Sequence, residues 1–200
     1  MKKPIVLKQN QLYYWFNIGG KLMYVLFTYP EKEFSLSELA NEAKVSKGNA
    51  GPILDKLYAE GMIQIVKLHN IWRIKANQTN WNFIKGKILY NLSVIYQSGI
   101  AEFLNELFRN PKAIVLFGSF RKGDDISDSD IDIAIETAEE KEFRSIPLKE
   151  LGHKKRVDEI EKILARKIQI HLFNRKNVDL NIFNNISNGI VLSGFLEVKP

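Results

Sequence analysis

The chain of 200 residues has no cysteine. Disulfides and thiolate zinc sites are therefore excluded, and a reducing compartment is compatible with everything in the sequence, so the cytoplasm is the expected location. Long apolar runs are also missing. The start, Met-Lys-Lys-Pro, has the charge of a leader peptide, but only Ile5-Val6-Leu7 follows before Lys8 and Gln9, too short for its apolar segment. Residues 11 to 29 are rich in aromatics, yet Asn17, Gly19, Gly20 and Lys21 interrupt them, which argues against a membrane span. Internal repeats and low-complexity segments are absent as well.

What is present is enough for a core: 45% of the residues are hydrophobic, so disorder is not the default reading and one large or two small domains are allowed. The net charge is +6 and is unevenly placed. Residues 1–80 carry 11 Lys/Arg against 6 Asp/Glu, whereas residues 81–200 carry 18 against 17. The surplus points to a polyanionic partner for the N-terminal part.

Three segments follow from pattern, with boundaries expected at 1–80, 81–109 and 110–200. In the first, Ser35 with Glu38 three residues later is a capping-box start, and Leu36, Leu39, Ala40 and Ala43 give an apolar helical face. A second helix runs from near Ser46, with Ile53, Leu54 and Leu57 inward and Gly61 as its stop. The stretch MIQIVKLHNIWRIKA then alternates on both sides of His69-Asn70, the pattern of a β-hairpin. With an aromatic first helix around Tyr13 to Phe27, this order resembles a winged helix-turn-helix domain over about residues 11 to 76. The resemblance implies that Lys44, Ser46, Lys47 and Asn49 face DNA at the start of the reading helix, and that Lys67, His69 and Arg73 line the wing. Gly48, Gly51 and Pro52 depart from the pattern. Glycine costs about 1 kcal/mol and proline about 3 kcal/mol inside a helix, so the helix is expected either to begin late, near Asn49, or to kink.

The second segment is helical by period, with Phe83, Ile84, Ile88, Leu92, Ile95 and Tyr96, then Ile100, Phe103, Leu104 and Leu107 beyond a Ser98-Gly99 break. Such a stripe reads as core without chemistry. The third alternates strands and helices: AIVLFGS, DIDIAIE and KIQIHLF as strands, with a helix at residues 156–166 before the last, hence an α/β domain.

The chemistry is concentrated in LFGSFRKGDDISDSDIDIAIE, residues 116–136. Alternation puts Asp130 and Asp132 on one face while Ile131, Ile133 and Ile135 anchor the other. Two such carboxylates repel without a cation between them, and hard oxygen donors select Mg2+ or Mn2+. The Gly118-Ser119 corner lets backbone N–H groups approach a phosphate, with Arg121 and Lys122 adding positive charge. Asp124, Asp125 and Asp128 read as a solvated turn.

Gly118-Ser119, Arg121-Lys122-Gly123 and Ser129-Asp130-Ile131-Asp132 together resemble the motif of the DNA polymerase beta superfamily of nucleotidyltransferases, in particular its minimal members. NISNGIVLSG, residues 185–194, is similar to the end of such domains, and the likeness covers about residues 98–200. It implies a nucleotidyltransferase-type α/β (α+β) domain with a small mixed sheet, preceded here by the winged-helix domain. The implied reaction moves a nucleoside monophosphate from an NTP, ATP first among them, to a hydroxyl acceptor. Asp130 and Asp132 are then the metal ligands and catalytic acids, and Gly118, Ser119, Lys122 and Ser129 bind the nucleotide. Members of this kind that act as antitoxins modify a partner toxin, which makes a protein acceptor an expectation from resemblance. The family takes a third carboxylate from the next strand. In KIQIHLF the site-facing positions are Gln169 and His171, and His171 is the candidate base or neutral ligand. His69 and His153 have no partner pattern. The contrasting expectation is a DNA-binding regulator whose degenerate nucleotidyltransferase-like domain binds nucleotide or forms a homodimer.

Overall fold

The computed structural model describes residues 18–69, 71–138, 140 and 142–198. The expected helical start at Tyr13, the Met-Lys-Lys-Pro start and Asn70 of the hairpin turn lie outside the described residues. Chain contacts divide between Phe83 and Ile84 into two units.

In the first unit α1 (Ile18–Thr28) buries Leu22, Met23, Val25, Leu26 and Phe27. A two-residue strand, β1 (Glu33–Phe34), leads to α2 (Leu36–Glu42), and the expected capping box closes it. The Ser35 hydroxyl accepts from the Glu38 backbone N–H at 3.2 Å, and the Glu38 carboxylate accepts from the Ser35 N–H at 2.8 Å. Those bonds hold the Glu38 carboxyl below its ordinary value, the backbone donor contributing most.

α3 (Lys47–Ala59) starts beside Ser46, as expected of the second helix, and not late near Asn49. It begins at Lys47 because the Ser46 hydroxyl accepts from the Asn49 N–H at 3.3 Å and caps it. Pro52 sits exposed inside the helix, and a Cβ at Gly48 or Gly51 would meet nothing within 4 Å, so these breakers occupy an open face. Ala50, Leu54 and Leu57 are buried, while Ile53 is only half-buried. β2 (Ile63–Leu68) and β3 (Ile71–Ala76) form the expected hairpin, from Ile63↔Ala76 to Leu68↔Ile71, and Phe34 of β1 pairs with Ile74.

α4 (Trp81–Ser98) and α5 (Ile100–Leu107) are separated by Gly99, as the break predicts. Tyr96, expected in the apolar stripe, is instead 49% exposed. The second unit continues with β4 (Ala113–Phe117), α6 (Gly118–Lys122), β5 (Ile131–Glu136), β6 (Arg144–Pro147), α7 (Lys154–Leu164), β7 (Ile168–Phe173), α8 (Leu180–Ser187) and β8 (Ile190–Gly194). Strand order is β6-β7-β5-β4-β8, with β5 and β7 parallel and the other pairs antiparallel, a small mixed sheet.

Alternation assigns each face its task. Ile114, Leu116, Ile131, Ile133, Ile135, Ile168 and Ile170 pack in one cluster with Ile95, Phe103, Leu104, Val157 and Ile160 of α4, α5 and α7. On the opposite face Ala113, Val115, Ala134 and Phe173 pack with Ile186 of α8 and Leu196. Asp132, Gln169 and His171 share this second face, and each is only partly buried.

At the covered end of that face Glu136 is 3% exposed, with Lys112 Nζ 4.0 Å from its carboxylate. Burial raises its carboxyl above the ordinary 4.5, and the cations of Lys112 and Arg175 offset this only in part. The folded chain therefore holds this proton more tightly than the unfolded one. The resulting stability is fully present below pH 4.5 and is lost as pH rises through the folded value. Glu136→Gln is expected to flatten that decline in urea midpoints measured upward from pH 4.5; parallel curves for native and variant would contradict it.

Candidate active site

The site begins where β4 ends. Phe117, the last residue of β4, pairs with Asp132 of β5, so register alone brings Gly118 beside an aspartate distant in sequence. Gly118 has φ +74°, and a Cβ on it would run into the Asp132 carboxylate. Glycine is thus required twice, for the backbone angle and for the space. Gly118→Ala is expected to displace the Asp132 carboxylate and to destabilise the second unit by about 1–2 kcal/mol or more from the left-handed backbone alone. Thermal unfolding checks it, and an unchanged midpoint would show that the corner relaxes freely.

On the other side of Asp132 lies β7, with Asp132 paired to Gln169 and Ala134 paired to His171. His171 Nε2 is 2.9 Å from Asp132 Oδ1, and its Nδ1 is 2.7 Å from the hydroxyl of Ser145 on β6. A carboxylate only accepts, so Nε2 carries a proton and donates to Asp132; in the neutral ring Nδ1 then accepts from the Ser145 O–H. The ring is held between Phe117, edge-on at 5.0 Å, and Phe143, stacked at 5.7 Å. Both ring nitrogens are engaged in this Ser145–His171–Asp132 chain, and Ser145 was not foreseen: RSIP offers no strand alternation to read.

Asp130 precedes β5, half-buried, at the edge of a cleft of about 820 Å³ that Ser129 and Gln169 also line. The Ser129 hydroxyl accepts from the Ile126 N–H at 3.0 Å, closing the turn before the strand. Ser119 is half-buried and its carbonyl accepts from Gly123 and Asp124, while Lys122 is exposed.

The acidic turn corrects the expectation that all three of its aspartates are solvated. Asp124 and Asp128 are exposed, but Asp125 is completely buried. Its carboxylate lies 3.1 Å from Lys87 Nζ and 3.3 Å from Arg166 Nη2, and accepts from Asn91 Nδ2 at 2.8 Å. Lys87 also donates to the Asp125 carbonyl, and Asn91 to the Phe120 carbonyl at 2.7 Å. A stripe read as pure core therefore carries a buried lysine and a buried asparagine four residues apart. The signal was there: positions 87, 91 and 95 fall on one helical face, and a lysine in that place demands a carboxylate. The cluster anchors the loop that delivers Asp130 and Asp132.

In the first unit Lys44, Lys47 and Asn49 are exposed around the start of α3, and Ser46 is spent on its cap. Lys67 is 3.5 Å from Asp55 and sits over the Trp72 ring at 4.1 Å, and Arg73 is bound to Glu33 at 2.6 Å. His69 is exposed. The hairpin cations Lys67 and Arg73 thus already have partners within their own unit.

Residues 98–192, the stretch that contains the corner, both aspartates and His171, match the family model of the nucleotidyltransferase domain. No curated protein and no solved structure matches the chain. The mixed α/β unit is consistent with that domain type. No helix among the described residues is long and apolar enough to cross a membrane.

Proposed function

We propose that the second unit transfers a nucleoside monophosphate from an NTP, ATP first, to a hydroxyl acceptor. The observation that carries the reading is the contact between Gly118 and the Asp132 carboxylate inside a stretch similar to nucleotidyltransferase domains. In it the triphosphate lies along the Gly118-Ser119 corner, with Lys122 near its outer phosphates and Ser129 beside Asp130.

The donor set suits a divalent ion that arrives with its substrate. Among the described residues no three His, Cys, Asp or Glu side chains are grouped to hold a metal. Mg2+ is commonly bound by one or two carboxylates together with substrate phosphates, and Asp130 and Asp132 fit that description. When bound, the ion supplies charge neutralisation of the phosphates. The chain's own residues do the rest: Asp130 and Asp132 present oxygen donors on one face, and His171 orients Asp132 through Nε2–H. His171 accepts a proton at Nδ1 only by way of the Ser145 hydroxyl. That makes the pair a relay to solvent at the exposed Ser145 rather than a base in direct contact with the acceptor.

The first unit is read as a winged helix-turn-helix module that binds DNA through the exposed Lys44, Lys47 and Asn49. A partner protein such as a toxin, and a second copy of the chain, belong to the same reading. The absence of an acid at Gln169 and His171 favours the second reading, a DNA-binding regulator with a catalytically degenerate domain. Incubation with labelled NTPs, Mg2+ and native cell extract decides between them. Label on an extract component supports transfer, whereas DNA retention with no labelled product supports the regulator.

A further inference from the structure

We propose that Asp130 and Asp132 take a single divalent ion per nucleotide, on the Gly118 side of Asp132, and that His171 sets this number by occupying the carboxylate oxygen a second ion would need. The inference rests on the transfer reading and adds the count of ions and the residue that fixes it.

The two oxygens of Asp132 face different neighbours. Oδ1 lies 2.9 Å from His171 Nε2 and accepts its proton, whereas Oδ2 is turned to the Gly118 corner, where a Cβ would meet it before any other atom. In the transfer reading that corner holds the triphosphate, so the oxygen left for an ion is the one nearest the phosphates. Oδ1 keeps a lone pair, but a cation placed on it would stand beside the donated hydrogen, positive against positive. Asp132 therefore serves an ion through one oxygen only.

The imidazole is not free to give way. Phe117 meets it edge-on at 5.0 Å, Phe143 stacks on it at 5.7 Å, and its Nδ1 is 2.7 Å from the Ser145 hydroxyl. Swinging the ring off Asp132 breaks both hydrogen bonds and both ring contacts together.

No other carboxylate stands ready to replace the engaged oxygen. The row of the sheet that contains Asp132 runs Phe117, Asp132, Gln169, Pro147, and the next runs Val115, Ala134, His171, Ser145. Neither holds a second acid. Asp125 is enclosed by Lys87 and Arg166, and Glu161 accepts from the Ile168 N–H at 3.4 Å. Among the described residues no three His, Cys, Asp or Glu are grouped to hold a metal. One Mg2+ is satisfied by one or two carboxylates, phosphate oxygens and water. Two ions clamped about 3.5–4 Å apart need a carboxylate that reaches both, and Asp132 has one oxygen to give.

The test counts Mn2+, a spectroscopic stand-in for Mg2+, on the full chain with α,β-methylene-ATP, which cannot release pyrophosphate. Equilibrium dialysis is expected to give one Mn2+ per bound nucleotide, with the electron paramagnetic resonance spectrum of an isolated ion. His171→Asp exchanges the donor for an acid beside Asp132, and should double the count to two and show magnetic coupling between neighbouring ions. His171→Gln, whose amide can still donate to Oδ1, should stay at one. The native count needs no variant: two coupled ions there overturn the inference and leave transfer standing. A folded His171→Asp chain that binds the analogue with one ion also overturns it, since the histidine is then not what holds the number down. If the native chain retains neither Mn2+ nor the analogue, the transfer reading falls and the inference with it.

Discussion

Asp125→Asn is expected to lower the stability of the second unit by about 3–5 kcal/mol, whereas Lys87→Met at the same cluster is expected to stay within about 1 kcal/mol of native. The contrast follows from counting charges in a place water does not reach. Asp125 is fully buried between Lys87 and Arg166, whose side chains are 1% and 3% exposed. Removing the carboxylate strands two buried cations and the Asn91 amide. Removing the lysine leaves Asp125 paired with Arg166, still bonded to Asn91, and fills the space with an apolar chain of similar length. Urea unfolding with an unchanged slope is the measurement, and equal losses for the two variants would overturn the account. No such contrast arises at an exposed pair such as Arg73–Glu33, where solvent screens either loss.

Asp132→Asn is expected to reduce nucleotidyl transfer by about 1000-fold, near 4 kcal/mol of barrier, and to abolish tight Mg–ATP binding. One carboxylate serves three neighbours: the Gly118 corner, His171 Nε2 and, in the proposed function, the metal. An amide of the same shape keeps the packing and loses the charge. Asp130→Asn should weaken Mg–ATP binding in the same way without touching His171. His171→Ala should slow transfer by roughly 100-fold while leaving Mg–ATP affinity nearly native, because the imidazole orients Asp132 and passes a proton but contacts no phosphate. Calorimetry with Mg–ATP and single-turnover rates separate these effects. Native binding by both aspartate variants would place the nucleotide elsewhere, and native transfer by His171→Ala would end its role.

Much of this was legible before any coordinates. Period two in DIDIAIE fixes which residues face the core, and the Ser35/Glu38 spacing fixes where α2 begins, since each signal depends only on near neighbours. Gly118 beside an Asp-x-Asp strand was legible as a motif. The rest depended on partners far along the chain. An aspartate in a turn looks solvated until Lys87, 38 residues upstream, is seen to reach it. Ser145 sits on a four-residue strand with too few positions to show alternation, so its bond to His171 emerged only from the β6–β7 register. Pro52 argued against an early helix start, but a cap at Ser46 and an open face outweighed one missing N–H.

Because Asp132 meets Phe117 and Gln169 through backbone pairing, the placement of the carboxylates and the burial of the isoleucines are a single choice. Sliding β5 by one residue turns Asp130 and Asp132 into the isoleucine core and Ile131, Ile133 and Ile135 onto the opposite, partly covered face. A chain that sets its acidic face wrongly therefore also misplaces its most apolar strand, and such a chain is a target for chaperones and proteases. Errors of assembly at this site should appear as missing protein, not as protein with altered chemistry.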